Sequence, residues 1–320
     1  MSSSKQVLRV ASDCADARRR IRSSLAHTMC IESRTTKRLF FKTENFQHTG
    51  SFKLRGAMSK LTSLASDMPV ITASSGNHGI ACSHAAMTTG HKLTVVLPEN
   101  VAKVKLDKIQ SYGTKTILNP GDSGMAEQKA QDLAAHGNYV YVSPYNDPLV
   151  MSGQGTIGLE LLEQLPDIDN VFISMGGGGL ISGIGSAIKV ASPDTKIIGV
   201  SAINSAALAA SIRAGKVVET EHLDTLADGC AGGVDNDSIT LSIASEVVDK
   251  MVDCSEAEIE RALRFIAWKE NMIVEGAAGL ALAGYLADEA EFEGEINVVL
   301  LCGANFDQAK IEAVLNCVDT

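Results

Sequence analysis

The sequence has no pair of cysteines at C-x-x-C spacing and no H-E-x-x-H. Its seven cysteines, at 14, 30, 82, 230, 254, 302 and 317, are odd in number and scattered, so they read as free thiols in a reducing compartment. His78, His84 and His91 fall six and seven residues apart, outside the spacings that zinc needs, and no metal is expected. A basic surface is missing as well. Against 28 Lys and Arg stand 38 Asp and Glu, a formal net charge of −10, and such a chain repels polyanions, which argues against a nucleic-acid partner. The longest apolar stretch, "GAAGLALAGYLA" at 276–287, is far short of a membrane span. The start, "MSSSKQVLRVASDCADARRRIRSS", lacks the apolar core of a secretory signal, and Asp13 and Asp16 are out of place in a transit peptide. "ADARRRIRSSL" within it reads as an amphipathic helix, and the protein is expected to be cytoplasmic. No repeat or low-complexity linker divides the chain.

What is present is an ordinary globular composition, 45% hydrophobic and 21% charged over 320 residues, enough for one large domain or two packed ones. Short β-branched or apolar runs at 38–44, 69–74, 92–98, 114–119, 139–143, 170–176, 196–202 and 296–303 alternate with helical patterns. The helical stretches are 78–90, 101–112, 123–136, 153–165, 179–191, 205–215, 237–250 and 255–287. This alternation predicts an α/β chain with mostly parallel sheets and helices on both faces. The four strands from 69 to 143 are expected to form a compact unit inserted into a larger sheet. The expected division is a large domain of 1–68 and 147–320 and a small domain of 69–146, with a cleft between them. Ligands bind beyond the carboxyl ends of parallel strands, and the loops there are "SSGNHG", "GGGGL" and "LCGAN".

Gly176, Gly177, Gly178 and Gly179 stand between an apolar strand and a helix, where one glycine would be enough for a turn. Four leave backbone N–H groups unobstructed at a positive helix end, an anion cradle. No Lys-Ser/Thr pair follows as in a P-loop, and the spacing is not G-x-G-x-x-G, so this loop alone leaves the anion open. In "TASSGNHGIA", Ser74, Ser75, Gly76, Asn77 and His78 collect two hydroxyls, an amide and an imidazole at a helix start. One such residue serves as an ordinary N-cap. The cluster is suited to a carboxylate, although a lone histidine such as His78 is more often structural. Cys302 ends a strongly apolar strand, where a small buried hydrophobe is an equal reading. Lys53, in "TGSFKLRGA", is flanked by Phe52 and Leu54. A lysine attacks carbonyls only when part of its population is neutral, which an apolar setting promotes. An aldehyde that also carries a phosphate, held at both ends, is pyridoxal phosphate.

In this order, "FFKTENFQHTGSFKLRGA", "ASSGNHGIA", "SGQGTIGLE", "GGGGLISG", "TLADGCA" and "LCGANFD" resemble the serine/threonine dehydratase branch of the fold type II pyridoxal-phosphate enzymes, which includes serine racemase-like members. The resemblance covers nearly the whole chain and implies the two-domain tryptophan synthase β-like fold. It implies that Lys53 binds the cofactor covalently and takes the Cα proton, with Phe52 beside the ring and Asn77 on its 3-hydroxyl. The amides of Gly176 to Gly179 would hold the phosphate, and Cys302 would face the ring nitrogen. Ser74, Ser75, Gly76 and His78 would receive the substrate carboxylate, and Ser75 matches the serine that acts on the opposite face in members that racemise. The implied activity is an ammonia-lyase acting on a β-hydroxy amino acid such as L-threonine or L-serine, in a homodimer. Dehydration of a bulkier or modified β-hydroxy amino acid, of hydroxyectoine-degradation or 3-hydroxyaspartate type, is an alternative; so are racemisation and non-catalytic binding of cofactor or amino acid. "HTMCIES" replaces the family's Thr-Pro-Leu, so the mouth of the cleft differs. "GVSAINSAA" offers Ser201 and Ala207 where racemases place an acidic metal ligand. "DSGMAEQ" has no arginine for an acidic substrate side chain.

Overall fold

The computed structural model of the protein describes residues 4–316. Ten strands run along these residues: β1 Cys30–Glu32, β2 Leu39–Lys42, β3 Val70–Ala73, β4 Leu93–Pro98, β5 Lys115–Asn119, β6 Val140–Tyr141, β7 Asn170–Ser174, β8 Lys196–Ala202, β9 Lys250–Cys254 and β10 Asn297–Leu300. The α-helices are α1 Lys5–Ile21, α2 Lys53–Leu61, α3 Asn77–Thr89, α4 Lys103–Gln110, α5 Ser123–His136, α6 Pro148–Gln164, α7 Gly179–Ala191, α8 Ala207–Ala214, α9 Ile239–Val247, α10 Glu256–Glu270, α11 Gly276–Leu286 and α12 Gln308–Asn316. They build a six-stranded sheet, ordered β1-β2-β10-β7-β8-β9, and a four-stranded one, β5-β4-β3-β6. Every pairing is parallel except the edge pair β1–β2. No helix among the described residues is long and apolar enough to cross a membrane.

All eight strands expected from apolar runs are present, β8 over the whole of 196–202 and the others somewhat trimmed. The expected helix over 255–287 is two helices, because Asn271 takes the left-handed conformation at φ 55° and ends α10. The helix expected to reach residue 250 ends at Val247, and β9 begins at Lys250. β1 and β9 are edge strands whose side chains are largely part-exposed, so neither shows a buried apolar run.

The two sheets have separate cores. One packs Phe172, Ile198, Leu282 and Val299 around the six-stranded sheet. The other joins Val70, Val95 and Ile80 of the four-stranded unit to Leu54, Ala57, Met58 and Leu61 of α2. Lys53 therefore begins a helix whose apolar face belongs to the smaller sheet. The opposite face, through Arg55, is fastened to the larger body. Arg55 and Glu44 are fully buried, and Arg55 donates from Nε and Nη2 to the two Glu44 oxygens, each at 2.8 Å. Its Nη1 and Nη2 reach Glu160 at 2.7 and 2.8 Å, and Glu160 also accepts from buried Lys42 at 2.7 Å. Two cations and two anions, from β2, the turn after it, α2 and α6, thus cancel inside the protein. Burial lowers the proton affinity of Lys42, whereas the Arg55 and Lys42 charges hold Glu160 below its ordinary range.

The "SGQGTIG" stretch makes this junction close. A Cβ on Gly153 would lie 2.5 Å from the Arg55 carbonyl oxygen, and one on Gly183 would lie 2.3 Å from that of Met151. Helices α2, α6 and α7 meet backbone to backbone there.

Replacing Arg55 by Met leaves Glu44 and Glu160 buried against one ammonium. Loss of one partner from a buried ionic group costs about 3–5 kcal/mol. The expected outcome is a urea midpoint lowered accordingly with an unchanged m-value; an unmoved midpoint would show that the charge cluster does not seat α2.

Candidate active site

Lys53 is placed by the loop that precedes it. Phe52 N–H donates to the Cys302 carbonyl at 3.0 Å, Ala304 N–H donates to that of Gly50 at 2.8 Å, and Ser51 bridges Gly303. "TGSFK" and "LCGAN" are thereby laced together at the ends of β2 and β10. The Lys53 amine donates to the Pro144 carbonyl at 2.8 Å and stands 5.2 Å from the centre of the buried Phe52 ring. Burial lowers its proton affinity, opposed by the neighbouring Cys230, Cys82, Cys302 and Glu275. Burial also pushes the Cys82 and Cys230 thiols up to about 12 and Cys302 well above its ordinary value. These thiols stay neutral near pH 7, so they supply little negative charge to the lysine, and desolvation dominates.

The four-glycine loop leads from β7 into α7, with Gly178 at the N-cap and no side chain capping the helix. None of the backbone N–H groups from Gly176 to Ile181 has an acceptor among the described residues. Tyr145 lies behind them: Cβ atoms on Gly177 and Gly179 would fall 2.4 and 2.9 Å from it. Its hydroxyl accepts from Asp235 N–H at 3.0 Å. The cradle is thus bare amide in front and tyrosine behind.

The second helix start is equally bare. Neither serine of "SSGNHG" caps α3; Ser74 Oγ accepts from Gly76 N–H at 3.2 Å within the loop, and the Ser75 hydroxyl has no partner among the described residues. The N–H groups of Ser75, Asn77, His78 and Gly79 also lack acceptors there. Gly79 is dictated by close approach, since a Cβ would lie 1.9 Å from the Ser74 carbonyl oxygen. His78 contributes only its amide to this surface. Its imidazole turns inward, Nε2 lying 3.0 Å from the Val142 carbonyl and 3.5 Å from Cys82 Sγ, and burial lowers its pKa to about 3.

Asn77 leads to a residue that no motif had flagged. Its Nδ2 donates to both oxygens of Glu275, at 2.9 and 3.0 Å, while its Oδ1 accepts from Asn305 at 2.7 Å. Cys302 Sγ stands 3.8 Å from the same carboxyl. Glu275 is 4% exposed, and burial pushes its pKa up to about 7. The signal for it in the sequence was a lone carboxylate set against the apolar run "GAAGLALA".

The arrangement brings together a part-buried amine of reduced basicity and two uncapped helix N-termini whose amides are free for anions. The donor set fits an aldehyde carrying a phosphate: one amine for the aldehyde, free amides for the phosphate. Residues 22–303 match the family described as pyridoxal-phosphate dependent enzyme. The chain is 36% identical to the L-threonine ammonia-lyase of Thermotoga maritima, covering 92% of this chain and 74% of that enzyme. To the catabolic L-threonine dehydratase TdcB of Escherichia coli K12 it is 33% identical, covering 96% of each. Among solved structures, the processed threonine deaminase isoform 2 of Solanum lycopersicum superposes with a TM-score of 0.92 at 30% identity, covering 99% of this chain and 95% of that one. Maize serine racemase does so at 0.88 and 28%, covering 94% and 95%. The chain belongs to the pyridoxal-phosphate dependent enzymes, and its cofactor is pyridoxal phosphate.

Glu275 links the site to stability. Between about pH 4.5 and about 7 the folded chain retains a proton on this carboxyl that the unfolded chain has released, so stability falls as pH rises through that window, by up to about 3 kcal/mol. Glu275→Gln removes this proton. Urea denaturation at several pH values is expected to show a shallower decline for the variant; an identical decline would mean that Glu275 titrates normally.

Proposed function

We propose that the protein is an ammonia-lyase that removes water and ammonia from a β-hydroxy amino acid such as L-threonine or L-serine to give a 2-oxo acid. The observation that carries this is the part-buried Lys53 amine, of lowered basicity, placed together with two uncapped helix starts, one for each anion of the assembled reactants. Names of the relatives support the substrate class. In this reading the cleft lies between a small domain of 69–146 and a large domain of 1–68 and 147–320.

Lys53 holds the cofactor, with Phe52 beside its ring. The free amides of Gly176 to Gly179 bind its phosphate, Asn77 its ring hydroxyl, and Cys302 faces its ring nitrogen. The bound cofactor supplies an electron-accepting ring joined to the substrate's amine. Ser74, the Ser75 hydroxyl and amides from Gly76 to His78 orient the substrate carboxylate. This fixes the Cα–H bond toward Lys53. With the substrate in place, the Lys53 amine would take the Cα proton and deliver it to the β-hydroxyl, which departs as water. The resulting enamine is released, and water converts it to the oxo acid and ammonia. Cys302, being neutral, does not hold a protonated ring nitrogen, so less charge is drawn into the ring and loss of the β-hydroxyl is favoured.

A neutral substrate side chain fits best. Glu127, bonded to the Tyr141 hydroxyl at 2.7 Å, is within electrostatic reach of Lys53 and Asp235, and two carboxylates there disfavour an acidic side chain. The unpartnered Ser75 hydroxyl supports a second reading, racemisation, since it offers a proton-bearing group besides Lys53.

A homodimer in the cytoplasm completes the proposal. Six described cysteines are free thiols, which suits a reducing compartment; Cys317 lies outside the described residues. Exposed Met29, Ile31, Trp268 and Ile273 lie on segments joined by the Ser33–Glu270 hydrogen bond at 2.6 Å, an apolar surface suited to a second copy.

The test is Lys53→Ala against wild type, assayed for ammonia and oxo-acid release with threo and erythro β-hydroxy amino acids and for D-isomer formation. Wild type is expected to release both products from L-threonine or L-serine. The variant is expected to show neither turnover nor the cofactor's lysine-linked absorbance. Retained turnover in the variant would refute the role of Lys53.

A further inference from the structure

Glu275 occupies the N-cap of α11 yet makes no capping bond with its own helix. Its carboxyl is turned into the site, where a Cβ on Gly303 would come within 2.5 Å of Oε1. Among the described residues it forms no ion pair. Every polar contact it makes is to a donor: Asn77 Nδ2 at 2.9 and 3.0 Å, Asn305 N–H at 3.1 Å to Oε2, and Cys302 Sγ at 3.8 Å to Oε1.

The two protonation states of Glu275 cannot share one hydrogen arrangement. As a carboxylate it accepts from all three partners, and the Cys302 S–H points at Oε1. As an acid it acquires an O–H that needs an acceptor. The Asn77 amide turns Nδ2 toward it and Oδ1 away toward Asn305 Nδ2, an orientation held because Asn305 Nδ2 also donates to the Thr49 carbonyl at 2.8 Å, and the Asn305 N–H is a donor only. The one atom in the set with a usable lone pair is the Cys302 sulfur. The acid proton must then sit on Oε1 and point at Sγ, and the thiol hydrogen must swing away from Glu275.

We propose that Glu275 and Cys302 form a two-position proton switch, in which the carboxylate holds the thiol hydrogen and the carboxylic acid releases it. One proton is taken up from solvent by Glu275; the thiol keeps its own hydrogen and only reorients, so no thiolate forms and no bond other than the O–H is made. Resting on the proposed function, the consequence is that Cys302 presents a lone pair to the ring nitrogen at high pH and a donor hydrogen at low pH. Glu275 is then a positioning residue, acting on the cofactor through Cys302 and through Asn77, whose amide it locks in the donating orientation. The pKa near 7 places the change in the physiological range. The titratable groups facing Glu275 are the Lys53 amine, Asp228, and the Cys230 and Cys302 thiols. Burial keeps the two thiols protonated and lowers the proton affinity of Lys53, while the Asp228 charge raises the Glu275 pKa further.

The experiment is infrared spectroscopy of the full-length protein with its cofactor, titrated from about pH 5.5 to about 8.5 around the ordinary titration range. The carboxylic-acid C=O band missing from Glu275→Gln identifies Glu275, and the S–H band missing from Cys302→Ser identifies the thiol. The expected result is that the Cys302 S–H band shifts with the same midpoint, near pH 7, at which the Glu275 band appears, and that this shift is lost in Glu275→Gln. Wild type alone decides the matter if either variant fails to fold: an S–H region that does not move as the acid band grows overturns the switch. A static S–H band in an enzyme that releases ammonia from L-threonine overturns the switch and leaves the lyase reading standing. A moving band in a protein without that activity does the reverse.

Discussion

The structure depends on how a helix that begins with a lysine of lowered basicity is held between two sheets. Three consecutive residues of α2 point in three directions: Lys53 to the Pro144 carbonyl, Leu54 into the core of the smaller sheet, and Arg55 into the buried charge cluster of Lys42, Glu44 and Glu160. A hydrophobic anchor alone would tie the helix to the smaller sheet and let it slide against the larger one. The guanidinium prevents this, because its planar fork satisfies two carboxylates at once and any shift strands a buried charge. Electrically the cluster is silent at a distance, since two positive charges meet two negative ones. It fixes position without imposing a field on the amine two residues away.

The same economy of charge governs the site itself. Burial keeps the Cys82, Cys230 and Cys302 thiols protonated, holds His78 neutral and weakens the Lys53 ammonium. With the side chains largely neutralised, the unpartnered amides at the starts of α3 and α7 are the strongest fixed positive features left. Bare amides of this kind attract anions, and the lowered proton affinity of the amine leaves it less charged beside them. At Gly177 and Gly179 any Cβ would run into Tyr145, so the loop amides carry no side chain of their own.

Much of this was legible in one dimension. The eight apolar runs marked eight strands, because parallel strands buried on both faces need continuous apolar side chains. The glycine loop, "SSGNHG" and the loop at Cys302 were visible as strand-end loops, and Lys53 stood out by its apolar flanks Phe52 and Leu54. β1 and β9 were not, since edge strands carry mixed side chains, and the break at Asn271 hid inside a long apolar pattern. The two serines of "SSGNHG" had an ordinary meaning, helix capping, that only the coordinates remove. His78 shared the loop's sequence context but turned its ring into the interior, a choice set by the Val142 carbonyl on another strand.

By itself the sequence determined the alternating α/β architecture and singled out the glycine loop and Lys53 for inspection, because periodicity, glycine runs and short motifs act over a few residues. Only the tertiary structure decided that Glu275 and Asn305 join the site, that Tyr145 backs the glycine loop, and that Arg55 rather than the surface of α2 seats the lysine. Each of those decisions is a contact between residues far apart in the chain. Asn77 and Glu275 are separated by 198 positions and meet at 2.9 Å. Such a contact leaves no periodic trace, and its energy comes from burial, which exists only once the two sheets have closed on the helix between them.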